Sequence, residues 1–411
     1  MIKLLHFADA HIDMANYDRH DPETGLPMRV MDFLRSLDEI VTAAITEQVD
    51  LVIFAGDAYR DRSPAPTFQR EWDQRIMRLS QAGIMTVLLT GNHDISPSTG
   101  RAHAIQEFES LSVPHVRVVS KPTLLLPKDL DGLPVQMLCV PWISHVEYFD
   151  FEDTDNNTPT EVNTFIQEQL NLKIENIDAK LDPELPLILA AHAAVEGVKY
   201  GSEKLVTIAR DFVLDRKFVT NPIFDYVALG HIHKPQDLNE GHQPPAIYPG
   251  SIERVDFGEE REKKFFIRAD IEKGRAEVDW RELAHIRPFI TRTVELTVPE
   301  DVNAQIKAAF PPEDKIEDAI LRVIVNYPED FEALINDREI RVLGEPAFEF
   351  QFIKRPQRQS RARLPEGDYA TEKSMGELLE IYLKATDKEI TAEKIASLQN
   401  LAREILDPSD D

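Results

Sequence analysis

The sequence is short of three things. It has a single cysteine, Cys139, so no intrachain disulfide is possible and disulfide-framed secreted modules are excluded. It has no apolar run approaching the roughly 20 residues that span a bilayer; the best, Leu51 to Ala55 and Leu185 to Ala191, are strand-length. It is also short of positive charge: Lys+Arg number 46 against 73 Asp+Glu, a formal net charge of −27. A chain this acidic has no global basic field with which to hold nucleic acid, so any such contact rests on local basic patches, bound metal ions or a partner. The start, Met1 to Phe7, meets Asp9 and His11 at once, too short for a signal core and without a small-residue cleavage site. The expectation is a soluble, cytoplasmic protein with no membrane association.

What is present is ordinary globular material. Apolar residues make up 42% and charged residues 29% of 411, enough to bury a full core over two or three domains. Up to about Glu282 short buried strands alternate with amphipathic helices. Strands are expected at Ile2–Phe7, Leu51–Ala55, Ile84–Leu89, Val135–Val140, Leu187–Ala191 and Tyr226–Leu229. Helices are expected at Met28–Gln48, Phe68–Ser80 and Thr160–Ala179. A β-ribbon follows at Ala246–Tyr248, Phe265–Asp270 and Ala276–Trp280, completing an α/β layered domain over 1–283.

After a break near Ala284–Pro288 the pattern reads strand, helix, strand, helix, strand: Phe289–Thr297, Val302–Phe310, Ala319–Val325, Glu329–Asn336 and Ala347–Ile353. That order gives a small α+β domain over 284–353. A basic linker, 354–370, runs from Lys354 through Arg355, Arg358, Arg361 and Arg363. It reads as a tether, a phosphate contact or a contact with an acidic partner surface. Two short helices close the chain over 371–411, the first with a capping box of Ser374 and Glu377. Each is too short to be stable alone in water, so its apolar face must bury against something.

Five clusters of ligand-type residues sit where a buried strand ends. They are Asp9-Ala10-His11, Gly56-Asp57, Gly91-Asn92-His93-Asp94, His192 and Gly230-His231-Ile232-His233. In open α/β sheets ligands bind beyond the carboxyl ends of the strands, which would bring the five together. Imidazole, carboxylate and one amide oxygen suit a pair of divalent cations of the manganese, iron or zinc kind. Asp57 is the natural bridge, because Gly56 lets the backbone turn sharply. Strand alternation would send His231 and His233 to one face, and a turned loop would give one to each ion. With 12 His and 16 Gly in 411 residues, a Gly-His-x-His match is expected about 0.01 times by composition alone, so its presence beside the other four clusters is not chance. The isolated histidines, such as His20, His103 and His285, read as core or surface.

These motifs resemble the calcineurin-like metallophosphoesterase signature. His192-Ala193-Ala194-Val195-Glu196-Gly197, and Tyr248-Pro249-Gly250-Ser251 followed by Glu253 to Glu259, resemble its SbcD-type branch, the nuclease subunits of SbcCD complexes. The resemblance implies a metallophosphoesterase α/β sandwich with a small α+β capping domain for DNA recognition and a C-terminal helical pair that docks on an SMC-like, SbcC-type ATPase. It implies two ions, manganese first, one held by Asp9, His11, Asp57 and His233 and the other by Asp57, Asn92, His192 and His231. A hydroxide between them attacks phosphorus, and His93 serves the leaving oxygen. Asp94 is either the orienter of His93 or a loop-capping carboxylate. Arg60 and Arg62, and Ser251 with Arg254 after the Pro-Gly-Ser turn, are candidate DNA contacts, the alternative being ordinary surface residues. The family also implies a homodimer within a heterotetramer.

The sequence departs from that pattern at two places: Asp13 replaces a common glycine, and Arg60 replaces a common Asp or His. The metal motifs alone do not separate a DNA nuclease in double-strand-break repair from a phosphodiesterase of small or cyclic nucleotides. A non-catalytic scaffold would have lost ligands, and here every position is filled.

Overall fold

The structure, a computed structural model, describes residues 1–17, 19–95, 102–143, 159–177, 180–201, 212–357, 375–386 and 391–406. The expected cap Ser374 and linker positions 358–370 lie outside these. The chain divides into two compact units, Met1–Ile290 with Asp318–Ile320, and Thr291–Glu317 with Leu321–Asp411.

The first unit is built on two six-stranded sheets. In spatial order the first holds Arg275–Glu282, Phe265–Glu272, Ile2–Phe7, Leu51–Phe54, Met85–Leu89 and Val116–Val119. Its last four strands are parallel, and Phe265–Glu272 joins Ile2–Phe7 antiparallel. The second holds Gln236–Asp237, Ala246–Tyr248, Tyr226–Gly230, Leu187–His192, Gln136–Val140 and Thr123–Leu125, with the four middle strands parallel. Parallel strands buried on both faces read as unbroken apolar runs, which is why Leu51–Phe54 and Tyr226–Gly230 are legible as strands.

Alternation along each strand divides the apolar side chains between two cores. Leu4, Ile53, Val87 and Ile267 from the first sheet meet Cys139, Ile188, Ala228 and Ile247 from the second. The opposite face of the first sheet, with Leu5, Phe7, Val52 and Phe54, packs under Phe33, Leu37 and Val41 of helix Met28–Thr46 and Trp72 and Ile76 of helix Pro66–Gln81. The second sheet is covered on its outer side by Ile166 and Leu170 of helix Pro159–Ile177. The result is an α/β sandwich, helix, sheet, sheet, helix. The parallel strands of both sheets deliver their carboxyl ends to one edge.

The second unit carries a three-stranded sheet, Phe289–Glu295, Ile320–Pro328 and Glu349–Gln357, with helices Val302–Ala308 and Asp337–Gly344. Two expectations are corrected here. The predicted helix Glu329–Asn336 is a short 3₁₀ turn, Glu329–Leu334, and the true helix follows at Asp337–Gly344, where Asn336 caps Glu339 N–H at 3.2 Å. The predicted linker starts too early, since Lys354–Gln357 are strand residues and Lys354 Nζ is held by Glu332 at 2.6 Å and Asp337 at 3.1 Å. The C-terminal helices are Met375–Thr386 and Ala392–Leu406, with Tyr382 and Leu401 exposed. Among the described residues no helix is long and apolar enough to cross a membrane.

Candidate metal centre

The five strand-end clusters converge. Asp9, His11, Asp57, His192 and His231 are all buried. Four of the seven candidate ligands, Asp9, His11, Asp57 and His231, have left-handed backbone, with φ of 50°, 39°, 64° and 95°. Non-glycine residues rarely adopt this region, and each such residue costs about 1–3 kcal/mol. The surrounding loops impose it: Asp9 N–H donates to Gly56 C=O at 3.0 Å, and His231 N–H donates to both Asp9 carboxylate oxygens at 3.1 Å. The loops also pass too close for a side chain at several glycines, Gly56 and Gly91 among them. A Cβ on Gly56, at φ 98°, would lie 2.3 Å from His192 Nδ1, and one on Gly91 would lie 2.1 Å from Asp57 Oδ1.

Strand alternation does not govern His231 and His233, because the strand stops at Gly230 and His231 turns away. His231 Nδ1 lies 2.9 Å from Asn92 Oδ1, while His233 Nε2 lies 3.2 Å from His11 Nε2. Two groups result. Ligand atoms of Asp9, His11 and His233 lie within 4.8 Å of one another, and so do those of Asp9, Asp57 and His192. Asp57 Oδ2, a member of the second group 3.4 Å from His192 Nε2, also reaches toward the first, 3.9 Å from His11 Nε2.

The ring tautomers show what this cluster fits. Nδ1 of His11, His192 and His233 faces an acceptor oxygen: Tyr59 C=O at 3.2 Å, Ala55 C=O at 2.6 Å and Glu259 Oε1 at 3.0 Å. Each Nδ1 therefore carries the hydrogen, and in the neutral ring Nε2 carries the lone pair. These lone pairs face other acceptors. His11 Nε2 faces His233 Nε2, and His192 Nε2 faces Asp57 Oδ2 and, at 3.1 Å, Asn92 Oδ1. Acceptors aimed at acceptors repel until a cation sits among them, and imidazole with carboxylate is the donor set of a divalent transition metal.

The charges agree. Burial lowers His192, yet the Asp57 and Asp9 carboxylates outweigh it and lift the ring to about 9. Burial, joined by the neighbouring Asp57 charge, lifts Asp9 to about 6, against the pull of His192 and His233. Burial also pushes Asp57 up, but His192, His93 and His11 together hold it below the usual carboxylate range. Protons and metal ions compete for these donors.

The other expected site residues separate. His93 is half-exposed at the mouth, its N–H on Asp57 Oδ1 at 2.9 Å and its Nδ1 2.7 Å from Arg60 C=O. Asp94 does not orient it. Its carboxylate is fully buried and accepts N–H from Gly91 and Asp57 at 2.8 Å and Ala58 at 3.0 Å, so it caps the two loops. Arg60 and Arg62 are exposed along a groove of about 900 Å³ that includes Asp13, Met14, Phe68 and His93. Ser251 and Arg254 point inward, contrary to expectation. Ser251 is fully buried, with Lys264 Nζ at 2.8 Å, and the Arg254 guanidinium is spent on the carbonyls of Glu262 and Arg287. Ser251 therefore has no surface for DNA, while Arg254 is half-buried with its guanidinium already engaged.

Two contributors carry no ligand-type signal in the sequence. Trp142 lies beyond the strand Gln136–Val140, its ring 5.1 Å from His231 and 6.2 Å from His192, walling that side. Glu259 takes His233 Nδ1–H and forms a fully buried pair with Lys264 at 2.7 Å. Burial pushes this carboxyl up, but Lys264 and His233 outweigh it and hold it ionised. A carboxylate behind a ligating imidazole fixes its tautomer and raises its basicity. Glu259→Gln is expected to weaken divalent-metal binding by about 10- to 100-fold, read by titration calorimetry with Mn²⁺. Unchanged affinity would remove Glu259 from the site.

The sequence profile described as calcineurin-like phosphoesterase matches residues 2–235. The chain is 27% identical over 282 residues to the SbcD subunit of nuclease SbcCD from Escherichia coli strain K12, and equally to that of E. coli O157:H7. Each alignment covers 67% of this chain and 66% of the relative, so the chain spans about two thirds of the length of the curated relatives it matches. A dimetal phosphatase from Danio rerio overlaps 69% of this chain and 96% of its own, at 12% identity and a TM-score of 0.42. The family profile runs from the first strand to just past His233, and so takes in every loop that feeds the cluster. On that span, more than half of its length, the chain belongs to the calcineurin-like phosphoesterase family and is a metal-dependent phosphoester hydrolase.

Proposed function

We propose that this hydrolase is a DNA nuclease, cutting DNA phosphodiester bonds during double-strand-break repair as the nuclease subunit of a complex with an SMC-like ATPase. The observation that carries the reading is the similarity to a nuclease subunit over 282 residues, longer than the span 2–235 of the general family profile. The exposed Arg60 and Arg62 beside His93 support it, since a strand lying in an open groove needs cations for its phosphates. The exposed Tyr382 and Leu401 on the terminal helices support a partner that buries them, the ATPase, with two copies of this chain in the assembly.

In this reading Asp9, His11, Asp57 and His233 hold one divalent ion, and Asp57, Asn92, His192 and His231 the other, with Mn²⁺ the first choice. When bound, the pair supplies an acidified water and charge for the phosphoryl oxygens. The residues of the chain do the rest. The Nδ1–H donations to Tyr59, Ala55 and Glu259 keep the Nε2 lone pairs of His11, His192 and His233 on the site. Trp142 excludes water from the His192 and His231 side. As the bond from phosphorus to the leaving oxygen breaks, its electron pair goes to that oxygen. His93, as imidazolium, gives it the Nε2 proton and becomes neutral.

The test is degradation of an end-labelled linear duplex with Mn²⁺, alone and with the cognate ATPase, for wild type and His93→Ala. Degradation by wild type and a loss of about 10²-fold or more in the variant is expected. Rapid cleavage of bis(p-nitrophenyl) phosphate with DNA untouched even beside the ATPase would replace this reading with a phosphodiesterase of small nucleotides.

A further inference from the structure

The loop after strand Leu51–Phe54 lies along the loop after strand Ile2–Phe7 as a backbone ladder. Ala10 N–H meets Asp57 C=O at 2.8 Å and Ile12 N–H meets Ala58 C=O at 3.1 Å. Beyond Ile12 a side chain continues the ladder. Asp13 Oδ1 accepts Arg60 N–H at 2.5 Å, and Asp13 Oδ2 accepts Asp61 N–H at 2.9 Å. In a trans peptide the N–H and the preceding C=O point in opposite directions. The peptides whose N–H ends Asp13 holds therefore present the Tyr59 and Arg60 carbonyls on their far side. There Tyr59 C=O faces His11 Nδ1 at 3.2 Å and Arg60 C=O faces His93 Nδ1 at 2.7 Å.

We propose that Asp13 is a positioning residue for His93: by pinning the Arg60–Asp61 peptide it aims the Arg60 carbonyl, which fixes the His93 ring with hydrogen on Nδ1 and turns Nε2 toward the leaving oxygen. His11 depends on Asp13 less, because it is buried and its own N–H is laddered to Asp57 C=O at 3.2 Å. His93 is half-exposed, and the Arg60 carbonyl is the bond that orients its ring. A charged acceptor on the peptide N–H also polarises the carbonyl of the same unit, strengthening its bond to the ring. The Arg60 side chain is turned aside onto Met14 Sδ at 3.4 Å, and what the histidine uses is the Arg60 backbone.

The inference rests on the proposed role of His93, and leaving-group dependence separates the two. The substrates are aryl phosphodiesters running from p-nitrophenyl to phenyl leaving groups, with Mn²⁺. A p-nitrophenolate leaves without a proton, and a phenolate leaves better with one. Asp13→Ala is expected to lose about 10- to 100-fold in kcat on the phenyl ester and less than about threefold on the p-nitrophenyl ester. His93→Ala should show the same steepened dependence, and the double variant should be no slower than His93→Ala, because the two act as one unit. Asp13→Asn keeps one acceptor oxygen and should recover part of the loss. Nitrogen-15 NMR of the imidazoles should show His93 leaving the Nδ1–H form in Asp13→Ala, with Mn²⁺ affinity by calorimetry nearly unchanged. If His93→Ala steepens the dependence and Asp13→Ala does not, the inference fails and the role of His93 stands. If His93→Ala leaves the dependence flat, both fail. An equal loss on both esters with weakened metal binding would make Asp13 a structural support of the metal site and overturn the inference.

Discussion

Asp57→Asn is expected to lower phosphodiester hydrolysis by at least about 10³-fold while the protein stays folded. Asparagine keeps the shape and one oxygen for the His93 N–H, now 2.9 Å from Asp57 Oδ1. What it removes is a buried negative charge, 3.4 Å from His192 Nε2 and 3.9 Å from His11 Nε2. It also turns an N–H₂ toward those rings if the oxygen stays on His93. Charge stabilisation by metal is worth several kcal/mol, and each 1.36 kcal/mol is about tenfold in rate, which sets the size of the loss. The measurement is kcat on bis(p-nitrophenyl) phosphate with Mn²⁺, beside metal content per chain after gel filtration. Content should fall together with rate. Activity within about tenfold of wild type would mean that Asp57 does not hold metal, and Asp9, which belongs to both donor groups, would take its place as the shared carboxylate.

The site was legible because parallel strands and ligand residues write adjacent signals. Tyr226–Leu229 is apolar without a break, and histidines begin one residue after Gly230. The same contrast marks Phe7 before Asp9 and Ala191 before His192. Side-chain partners set by tertiary contact left no such mark. Glu259 and Lys264 look like surface charge in a sequence with 73 acids, and only the fold shows them paired and buried behind His233. Asp94 sits beside His93 in sequence but caps backbone on the other side, and Ser251 and Arg254 follow a turn that faces inward. The strands Val116–Val119 and Thr123–Leu125 leave little signal in the sequence because they are three or four residues long and only partly buried. The helix Asp337–Gly344 is hard to separate in the sequence from the 3₁₀ turn before it, because both open on acidic residues.

Asp32→Ala is expected to cost about 3–5 kcal/mol of stability with little effect on chemistry, the reverse of Asp57→Asn. Asp32 lies on helix Met28–Thr46 with no exposed surface. Its Oδ2 holds Arg29 Nη1 at 2.7 Å and Arg287 Nε at 2.5 Å, and its Oδ1 holds Arg287 Nη2 at 2.7 Å and also Arg35. Arg29 is buried in turn, its guanidinium 5.2 Å from the Phe33 ring and 5.4 Å from the Phe289 ring, with Nη2 on Arg254 C=O at 2.5 Å. Arg287 spends Nη1 on Asp318 C=O at 2.7 Å. One carboxylate thus pairs with two enclosed guanidiniums and ties the helix to the turn after Ser251 and to the segment ending the first unit. Removing it leaves two buried cations, the situation in which breaking an ion pair costs most. Glu253 offsets part of the loss. Burial, with the Asp32 charge added, pushes its carboxyl up to about 7 against the pull of Arg29, so losing Asp32 favours its charged form. For a unit of this size each kcal/mol moves the thermal midpoint by about 2 °C, giving a fall of about 6–10 °C by calorimetry. The pairing predicts a further asymmetry: Asp32→Leu with Arg29→Met should lose less than Asp32→Ala, because it removes one cation with the anion and refills the space. A midpoint within about 2 °C of wild type in Asp32→Ala would mean that Glu253 takes over the pairing that Asp32 supplies. The network would then be redundant, and the turn carrying Arg254 would not depend on the helix for its place.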